Sequence, residues 1–337
     1  MKAPAAAVQA QKILQDLKSG AFSPIYLLMG EEPYFIDLIT EYIEDHALQP
    51  AEREFNQTVV YGLDTDPMDL VSTVKRYPMM AERQVVIVRE AQRMKHWDKL
   101  TEIVEQTIPT TILVLAHKDK NIDKRTKIAK LLAKNGVVLK SDRLRDWEIA
   151  PWIKQYCQSH KISISDVSAQ LMADHIGTDL ERIVNELDKL AVALPQNAEI
   201  TPQVIEEHIG ISKDFNVFEL QKAIGLKQSD KAFKIVKHFG QNPKDHPVIG
   251  TNAVLFSFFT KLYQYHHLGN KNQAASVLKV PPFFLKDYAS AAPMYPIPKI
   301  ERIFGYLKET DLKAKGVDNV SNDDQGLLQE LVFKILN

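Results

Sequence analysis

Along residues 1–140, short uninterrupted apolar runs alternate with segments whose apolar residues recur three and four apart. The clearest instance covers residues 23–37. Residues 25–29 form a run short enough to be a strand buried on both faces, and Gly30-Glu31-Glu32 turns the chain. Phe35, Leu38, Ile39, Tyr42 and Ile43 then fall at i, i+3, i+4, i+7 and i+8 of an amphipathic helix. Before it, Ile13, Leu14 and Leu17 share one face of a short helix over 9–18, with Gly20 in place as its cap. After it, 59–61 reads as a second strand. Asp66-Pro67 supplies an N-cap and a first helical proline for a helix carrying Leu70, Val71, Val74 and Tyr77, broken at Pro78. The runs 85–88 and 110–116 read as buried strands, 97–107 as the helix between them, and 137–139 as a last strand. Strands alternating with helices in this way imply a mainly parallel sheet covered on both faces.

From Arg145 the pattern becomes helical alone. Ile149, Trp152, Ile153 and Tyr156 form one stripe, Val167, Leu171 and Ile176 a second, and Leu180, Ile183, Val184, Leu187 and Leu190 a third, with Gly177-Thr178-Asp179 between the last two. Leu194-Pro195-Gln196-Asn197 ends this module, and Thr201-Pro202 caps a short helix through His208. Beyond Ile211, breaks at Asn242-Pro243, Pro281-Pro282 and 293–298 leave helices over 216–226, 230–239, 248–268 and 300–312. The fold class expected is α/β followed by all-α. Three domains are expected, an α/β domain over 1–140, a small helical domain over 141–210 and a larger helical domain over 211–337.

Composition narrows the function classes. At 337 residues the chain exceeds what one core usually serves. Its formal net charge of -1 gives no global pull toward nucleic acid or an anionic membrane, so such a contact would have to come from a local patch. The single cysteine, Cys157, cannot form an internal disulfide, which suits a reducing compartment. The start lacks a signal-peptide core, and no run approaches the roughly 18 apolar residues of a membrane span. A cytoplasmic protein with no membrane contact is expected. His266-His267 and the other histidines show no ligand spacing with a third partner, so no metal site is expected.

Strand, glycine turn and amphipathic helix is the plan of a phosphate-binding loop. A working loop needs G-x-x-x-x-G-K-[ST], so that backbone N–H groups close round the phosphates, the lysine neutralises their charge and the hydroxyl holds magnesium. Counted from Gly30, those last three places hold Phe35, Ile36 and Asp37. Glu31 and Glu32 add carboxylates where a polyphosphate would sit. Where a P-loop ATPase carries an aspartate for magnesium and a glutamate for water after its next buried strand, this chain has Arg89-Glu90. The loop reads as a degenerate scaffold, with no catalytic residue and no cofactor. An ATPase with an unusual loop is a rival that ATP hydrolysis by the isolated chain would restore.

Two stretches carry candidate contacts. Residues 118–134 hold seven basic residues (Lys118, Lys120, Lys124, Arg125, Lys127, Lys130 and Lys134) against Asp119 and Asp123, a local balance of +5. They read as a solvated helix face with Ile128, Leu131 and Leu132 turned inward, or as a salt-dependent contact with nucleic acid backbone or an acidic partner. At Pro78 the preceding helix cannot continue, so Met79 and Met80 project from its end as an adaptable apolar pair. The pair reads as an interface anchor or as a cap on the core between helix and strand. Tyr77, which continues the stripe of Leu70 and Val74, fits either role. Asn185 and Glu186 read as structural residues of their helix. Phe256, Phe258, Phe259, Tyr263 and Tyr265 cover more than one helix face, which suits either a packed collar between subunits or the core of one chain.

Gly177-Thr178-Asp179-Leu180-Glu181-Arg182-Ile183-Val184-Asn185-Glu186-Leu187-Asp188-Lys189-Leu190 closely resembles the G-x-D-L-x-x-(apolar)-x-N-E-(apolar)-x-K-L segment of the delta subunit of bacterial DNA polymerase III. PIYLLMGEEPYFID at 24–37, AERQVVIVREAQRM at 81–94, IDKRTKIAKLL at 122–132 and LLQELVFKIL at 327–336 agree in order and spacing, so the resemblance spans nearly the whole chain. It implies an AAA+-like first domain without a working ATP site, a small helical lid domain, and a helical third domain joining the collar of a five-subunit clamp loader. The implied partners are the sliding clamp, the ATPase and stator subunits, and primed DNA through the assembled complex of the replicative holoenzyme. The family's clamp contact lies between a helix and the strand that opens R-Q-(apolar), here Arg83-Gln84-Val85. That anchor places clamp binding on Tyr77, Met79 and Met80, where the family pattern of a methionine and then a leucine-phenylalanine pair becomes a tyrosine and then two methionines. Rival readings are a stator-type paralogous loader subunit and a nucleic-acid-binding module using 118–134.

Overall fold

The computed structural model describes residues 4–195, 198–210, 215–244, 246–280, 282–317 and 324–337; Gln196, Asn197 and Pro281, which belong to expected breaks, and Ile211, the expected start of the third domain, fall outside them. The chain forms two compact units, one of residues 2–152 with 178–182 and the other of 153–177 with 183–337.

The first unit is built on a parallel sheet of β1 (Ile25–Gly30), β2 (Gln57–Tyr61), β3 (Gln84–Arg89), β4 (Thr111–Lys118) and β5 (Val137–Ser141), in the order β2-β3-β4-β1-β5. The central strands are the uninterrupted apolar runs, and β1 is buried along its whole length, as a strand covered on both faces must be. β1 lies between β4 and β5 in register, so Gly30 is opposite Lys118 on one side and Ser141 on the other. That register brings the loop after β1 and the ends of both neighbours to one edge.

The helices of this unit depart from the sequence reading in five places. Helix α1 (Ala5–Lys18) begins ahead of residue 9, because Ala6, Ala7 and Ala10 join Ile13 and Leu17 on its buried face. Helix α2 (Pro33–His46) follows β1, and α3 (Pro50–Asn56), not expected at all, precedes β2. In α3 only Asn56 is buried, so the segment has no apolar period to read. Helix α4 (Pro67–Val74) is capped by Asp66 as expected but stops at Val74, not at Pro78. Pro78 has no N–H to donate to the Val74 carbonyl, and it disfavours helical geometry at Tyr77. Residues 97–107 form a 3-10 turn, Trp97–Leu100, and a short α5 (Thr101–Glu105) rather than one helix. Only the second half of the basic run is helical, as α6 (Lys127–Asn135), because the Thr126 hydroxyl accepts the Ala129 N–H and starts the helix there.

Helix α7 (Asp146–Ser159) begins in the first unit and ends in the second. The second unit continues with α8 (Asp166–Ile176), most of α9 (Leu180–Ala193) and α10 (Pro202–Ile209). A parallel pair of two-residue strands, β6 (Ser163–Ile164) and β7 (Glu199–Ile200), was not legible as a pattern. Then follow α11 (Val217–Gly225), α12 (Ser229–Gln241), α13 (Val248–His266), α14 (Ala274–Leu278), α15 (Leu285–Ala291), α16 (Ile297–Ala314) and α17 (Asp324–Leu336). The aromatic residues of α13 divide: Phe258, Phe259 and Tyr265 lie in the core of this unit, while Phe256 is half exposed beside Phe304. Tyr295, fully buried, donates its hydroxyl to the Ile224 carbonyl at 2.7 Å.

A framed apolar loop and a filled phosphate loop

Between α4 and β3 the chain makes a loop, residues 75–83, whose base is held by side chains rather than by a backbone ladder. Gln84, buried at the start of β3, reaches back with Nε2 to the carbonyls of Val74 at 3.1 Å and Arg76 at 2.6 Å and to Thr111 Oγ1 at 2.9 Å. The Thr111 hydroxyl donates to the Val74 carbonyl at 3.0 Å. The carbonyl that Pro78 cannot serve is thus satisfied from the sheet, which is the cap a buried helix end requires. Farther out, Asn56 at the end of α3 accepts the Met79 N–H at 2.6 Å and donates to the Met79 carbonyl at 3.0 Å.

The frame leaves the apolar side chains outside. Tyr77 is 86% exposed, Met79 62% and Met80 fully exposed at 105%. Tyr77 is therefore not part of the buried stripe of α4, and the methionines do not cap the core. Met80 has φ 52°, the left-handed region, which a non-glycine residue adopts at a cost. Phe55, next to Asn56, is also exposed. Large apolar residues exposed together on one loop are the kind of surface that partner-binding sites present. The sequence reading missed Asn56, Gln84 and Thr111; the R-Q pair before β3 was the one signal that contained any of them.

The phosphate-loop frame is filled from within. β1 ends at Gly30 and α2 starts at Pro33, so only Glu31 and Glu32 lie between strand and helix. Glu31 is exposed, but Glu32 is buried: its carboxylate accepts the Tyr34 N–H at 3.1 Å and caps the start of α2. Its N–H donates to the Ser141 carbonyl at 2.9 Å, and Ser141 Oγ donates to the Glu32 carbonyl at 2.6 Å. Gly30 has φ 142°, and a Cβ there would stand 2.0 Å from the Ser141 carbonyl oxygen. Phe35 and Ile36 are buried in the first turns of α2, and Trp152 packs edge-on to Tyr34 and Phe35 with ring centroids 5.7 and 6.2 Å away. Burial pushes the Glu32 carboxyl above its ordinary range, opposed by the Tyr34 amide and Arg143 and reinforced by Asp179.

Several other charges around this loop are paired. Asp37 meets Lys118, at the end of β4, at 2.7 Å. Arg89 meets Glu44 of α2 at 2.6 Å, and Glu90 meets Arg93 at 3.0 Å. The Arg89-Glu90 pair that stands in place of an ATPase's acidic pair is thereby committed to its own domain. Of the basic run, Lys118 is half-buried in its ion pair, Arg125 pairs with Asp123 at 2.7 Å, and Lys127 pairs with Glu105 at 2.8 Å. Lys120 and Lys124 lie on the exposed stretch between β4 and α6, without an ion pair among the described residues. The structure does not bring this run together with Tyr77, Met79 and Met80 by any contact seen among the described residues.

Elsewhere, Glu186 pairs with Lys189 one turn on along α9 at 2.9 Å, and His266 and His267 contact the backbone carbonyls of Tyr295 and Tyr263. Cys157 is buried, with its thiol pushed up to about 12 by burial. Among the described residues no group of three or more His, Cys, Asp or Glu is placed to hold a metal ion, and no helix is long and apolar enough to cross a membrane.

A five-stranded parallel sheet with a tightly closed loop after its β1 strand, followed by a helical unit, defines a scaffold protein of the α/β-then-all-α class. Family models described as DNA polymerase III, delta subunit, and DNA polymerase III delta subunit, C-terminal domain, match residues 26–142 and 214–335. The chain belongs to the delta-subunit family of DNA polymerase III. DNA polymerase III subunit delta of Bacillus subtilis is 24% identical over 338 residues, covering 96% of each chain. The solved structure of the Bacillus subtilis DNA clamp loader delta protein superposes with a TM-score of 0.55 at 22% identity, covering 97% of this chain and 99% of that one.

Proposed function

We propose that this chain is the clamp-loader subunit that binds a sliding clamp through Tyr77, Met79 and Met80 and favours its open form, without hydrolysing ATP itself. The observation that carries the reading is the side-chain frame round the 75–83 loop, which leaves three large apolar side chains in solvent. Methionine adapts to a partner pocket, and exposed apolar side chains on a held backbone are suited to act as anchors. A wedge shifts the clamp toward its open form only by its differential affinity for open over closed, so no chemistry is needed in this subunit.

The closed phosphate loop supports the same reading, and two further assignments follow from the proposal. Glu32 occupies the start of α2 where a phosphate would sit, and Asp37 and Arg89 are committed to ion pairs. Residues 211–337 would join ATPase and stator subunits in a collar, with 141–210 as a separate small helical domain. Lys120, Lys124 and Arg125, exposed between β4 and α6, would meet primed DNA or a neighbouring subunit in the assembled complex. The setting would be the cytoplasm, at the replicative polymerase.

The test is binding of the purified chain to the sliding clamp of its own organism without ATP, with Met79→Ala/Met80→Ala as the comparison and both shown to be folded. Binding by the wild type that the double substitution abolishes is the expected result. Equal binding by both would sink the site, and steady ATP turnover by the isolated chain would sink the non-hydrolysing role.

A further inference from the structure

We infer that Asn56 is a positioning residue for the apolar tip, holding Met79 and Met80 in their binding geometry before any partner arrives. This rests on the reading that the tip binds a sliding clamp. Asn56 lies 23 positions before Met79 and is 4% exposed, yet both ends of its carboxamide go to the backbone of that one residue. Oδ1 takes the Met79 N–H at 2.6 Å, and Nδ2 donates to the Met79 carbonyl at 3.0 Å while also reaching the Glu52 carbonyl at 3.0 Å. A pair of bonds to both polar groups of one residue does what a neighbouring strand would do: it fixes the residue and the peptide planes on either side of it.

The flanking residues complete the restraint. Pro78 has its φ locked by its ring, and Met80 sits at φ 52°, a conformation that methionine does not favour by itself. Three successive residues are therefore restrained by a ring, a buried amide and a strained turn. Without Asn56 the backbone at Met79 would keep neither partner and would sample other conformations, and ordering it again on binding would weaken the complex. The side chain of Asn56 is itself too buried to be an anchor, so any effect it has on binding must act through Met79.

The experiment uses the full chain and combines amide exchange at Met79 with clamp affinity for the wild type, Asn56→Ala and Asn56→Asp. In the wild type the Met79 amide, although in an exposed loop, exchanges at least tenfold more slowly than an unstructured amide. In Asn56→Ala that protection disappears and clamp affinity falls ten- to a hundredfold, while the melting of the first unit stays close to that of the wild type. Asn56→Asp keeps the acceptor for the Met79 N–H but not the donor to its carbonyl, so it retains part of the protection and an intermediate affinity. It also serves as the test if the alanine variant does not fold. An unprotected Met79 amide in the wild type overturns the inference. So does an affinity loss that only tracks global unfolding, or a protected amide whose removal leaves affinity unchanged while Met79→Ala/Met80→Ala abolishes binding. A wild-type chain that does not bind the clamp at all overturns the functional reading, and this inference with it.

Discussion

The carboxylate of Asp37 stands where a phosphate-binding loop carries its magnesium-holding hydroxyl, and Lys118, opposite Gly30 in the β-sheet register, closes on it at 2.7 Å. The contact ties the second turn of α2 to the end of β4. The Asp37 charge is thus satisfied within the first unit, and the loop itself is closed by the Glu32 carboxylate on the Tyr34 N–H and by the neighbouring strand through Ser141.

Installing the full phosphate-loop motif should not create a nucleotide site. Because α2 begins at Pro33, residues 35–37 are inside the helix rather than in a loop, and Ile36 is completely buried. Phe35→Gly/Ile36→Lys/Asp37→Thr is expected to destabilise the first unit by at least about 3 kcal/mol, through a cavity and a buried unpaired charge. It should show no saturable binding of magnesium-ATP in a calorimetric titration; clear binding would show that the frame retains a usable cradle.

Gly30 should tolerate no side chain. With φ at 142° and the Ser141 carbonyl where a Cβ would go, Gly30→Ala must separate β5 from the loop. A loss of about 2–4 kcal/mol is expected from strain and the breaking of two hydrogen bonds. Urea denaturation of the first unit checks it, and wild-type stability in the variant would contradict the packing described.

Glu32 contributes stability to the first unit that is lost as pH rises through the carboxyl range. Its folded carboxyl is raised by burial, so the folded state holds the proton to higher pH than the unfolded chain does. This contribution favours folding at low pH and is lost as pH rises from the unfolded carboxyl range through the raised folded value. Glu32→Gln keeps an acceptor for the Tyr34 N–H and removes the charge. It should therefore melt higher than wild type at pH 7.5, with the difference vanishing toward pH 4; a constant difference across that range would count against the cause given.

At the apolar tip the two kinds of effect should separate. Tyr77→Ala, Met79→Ala and Met80→Ala remove exposed side chains, so each should alter stability by no more than about 0.5 kcal/mol. Clamp affinity should fall by about 1–3 kcal/mol for each anchor. Titration of labelled clamp against each variant, beside its thermal melt, tells the two apart, and a variant that loses stability as much as affinity would return that residue to the core.

The exposed basic stretch yields an ionic prediction. Lys120→Ala/Lys124→Ala should weaken binding of primed DNA by the assembled complex and lower the dependence of log K on log salt by about one for every phosphate that the two lysines neutralise in the wild type. Lys118→Ala, whose partner is Asp37, should change stability instead. Identical salt dependence in wild type and Lys120→Ala/Lys124→Ala would remove this stretch from the DNA path.

Much of the fold is written in the order of residues, since periodicity follows from which side chains must leave water. The runs at 25–29, 85–88 and 110–116 became the central strands, and α2 and α4 started at the caps Glu32 and Asp66. A two-residue pairing such as Ile164 with Ile200 is too short to carry a period, and α3 buries only a polar residue. The end of α4 was misplaced for a related reason. Pro78 shows that the helix must stop, but where it stops depends on Gln84 and Thr111, which arrive from other strands.

The sequence by itself determined the alternation of strands and helices, the change to helices after residue 145, the missing lysine and hydroxyl of the phosphate loop, and the apolar trio beside Pro78. Each depends on side-chain type at local spacing. Tertiary structure alone decided that Tyr77 and both methionines are exposed, that Asn56 holds Met79, that Lys118 belongs to Asp37 rather than to a basic face, and that Ser141 closes the loop at Gly30. Those relationships join residues 23 to 111 positions apart. Burial and hydrogen bonding at such separations depend on strand order and register, which no local pattern encodes.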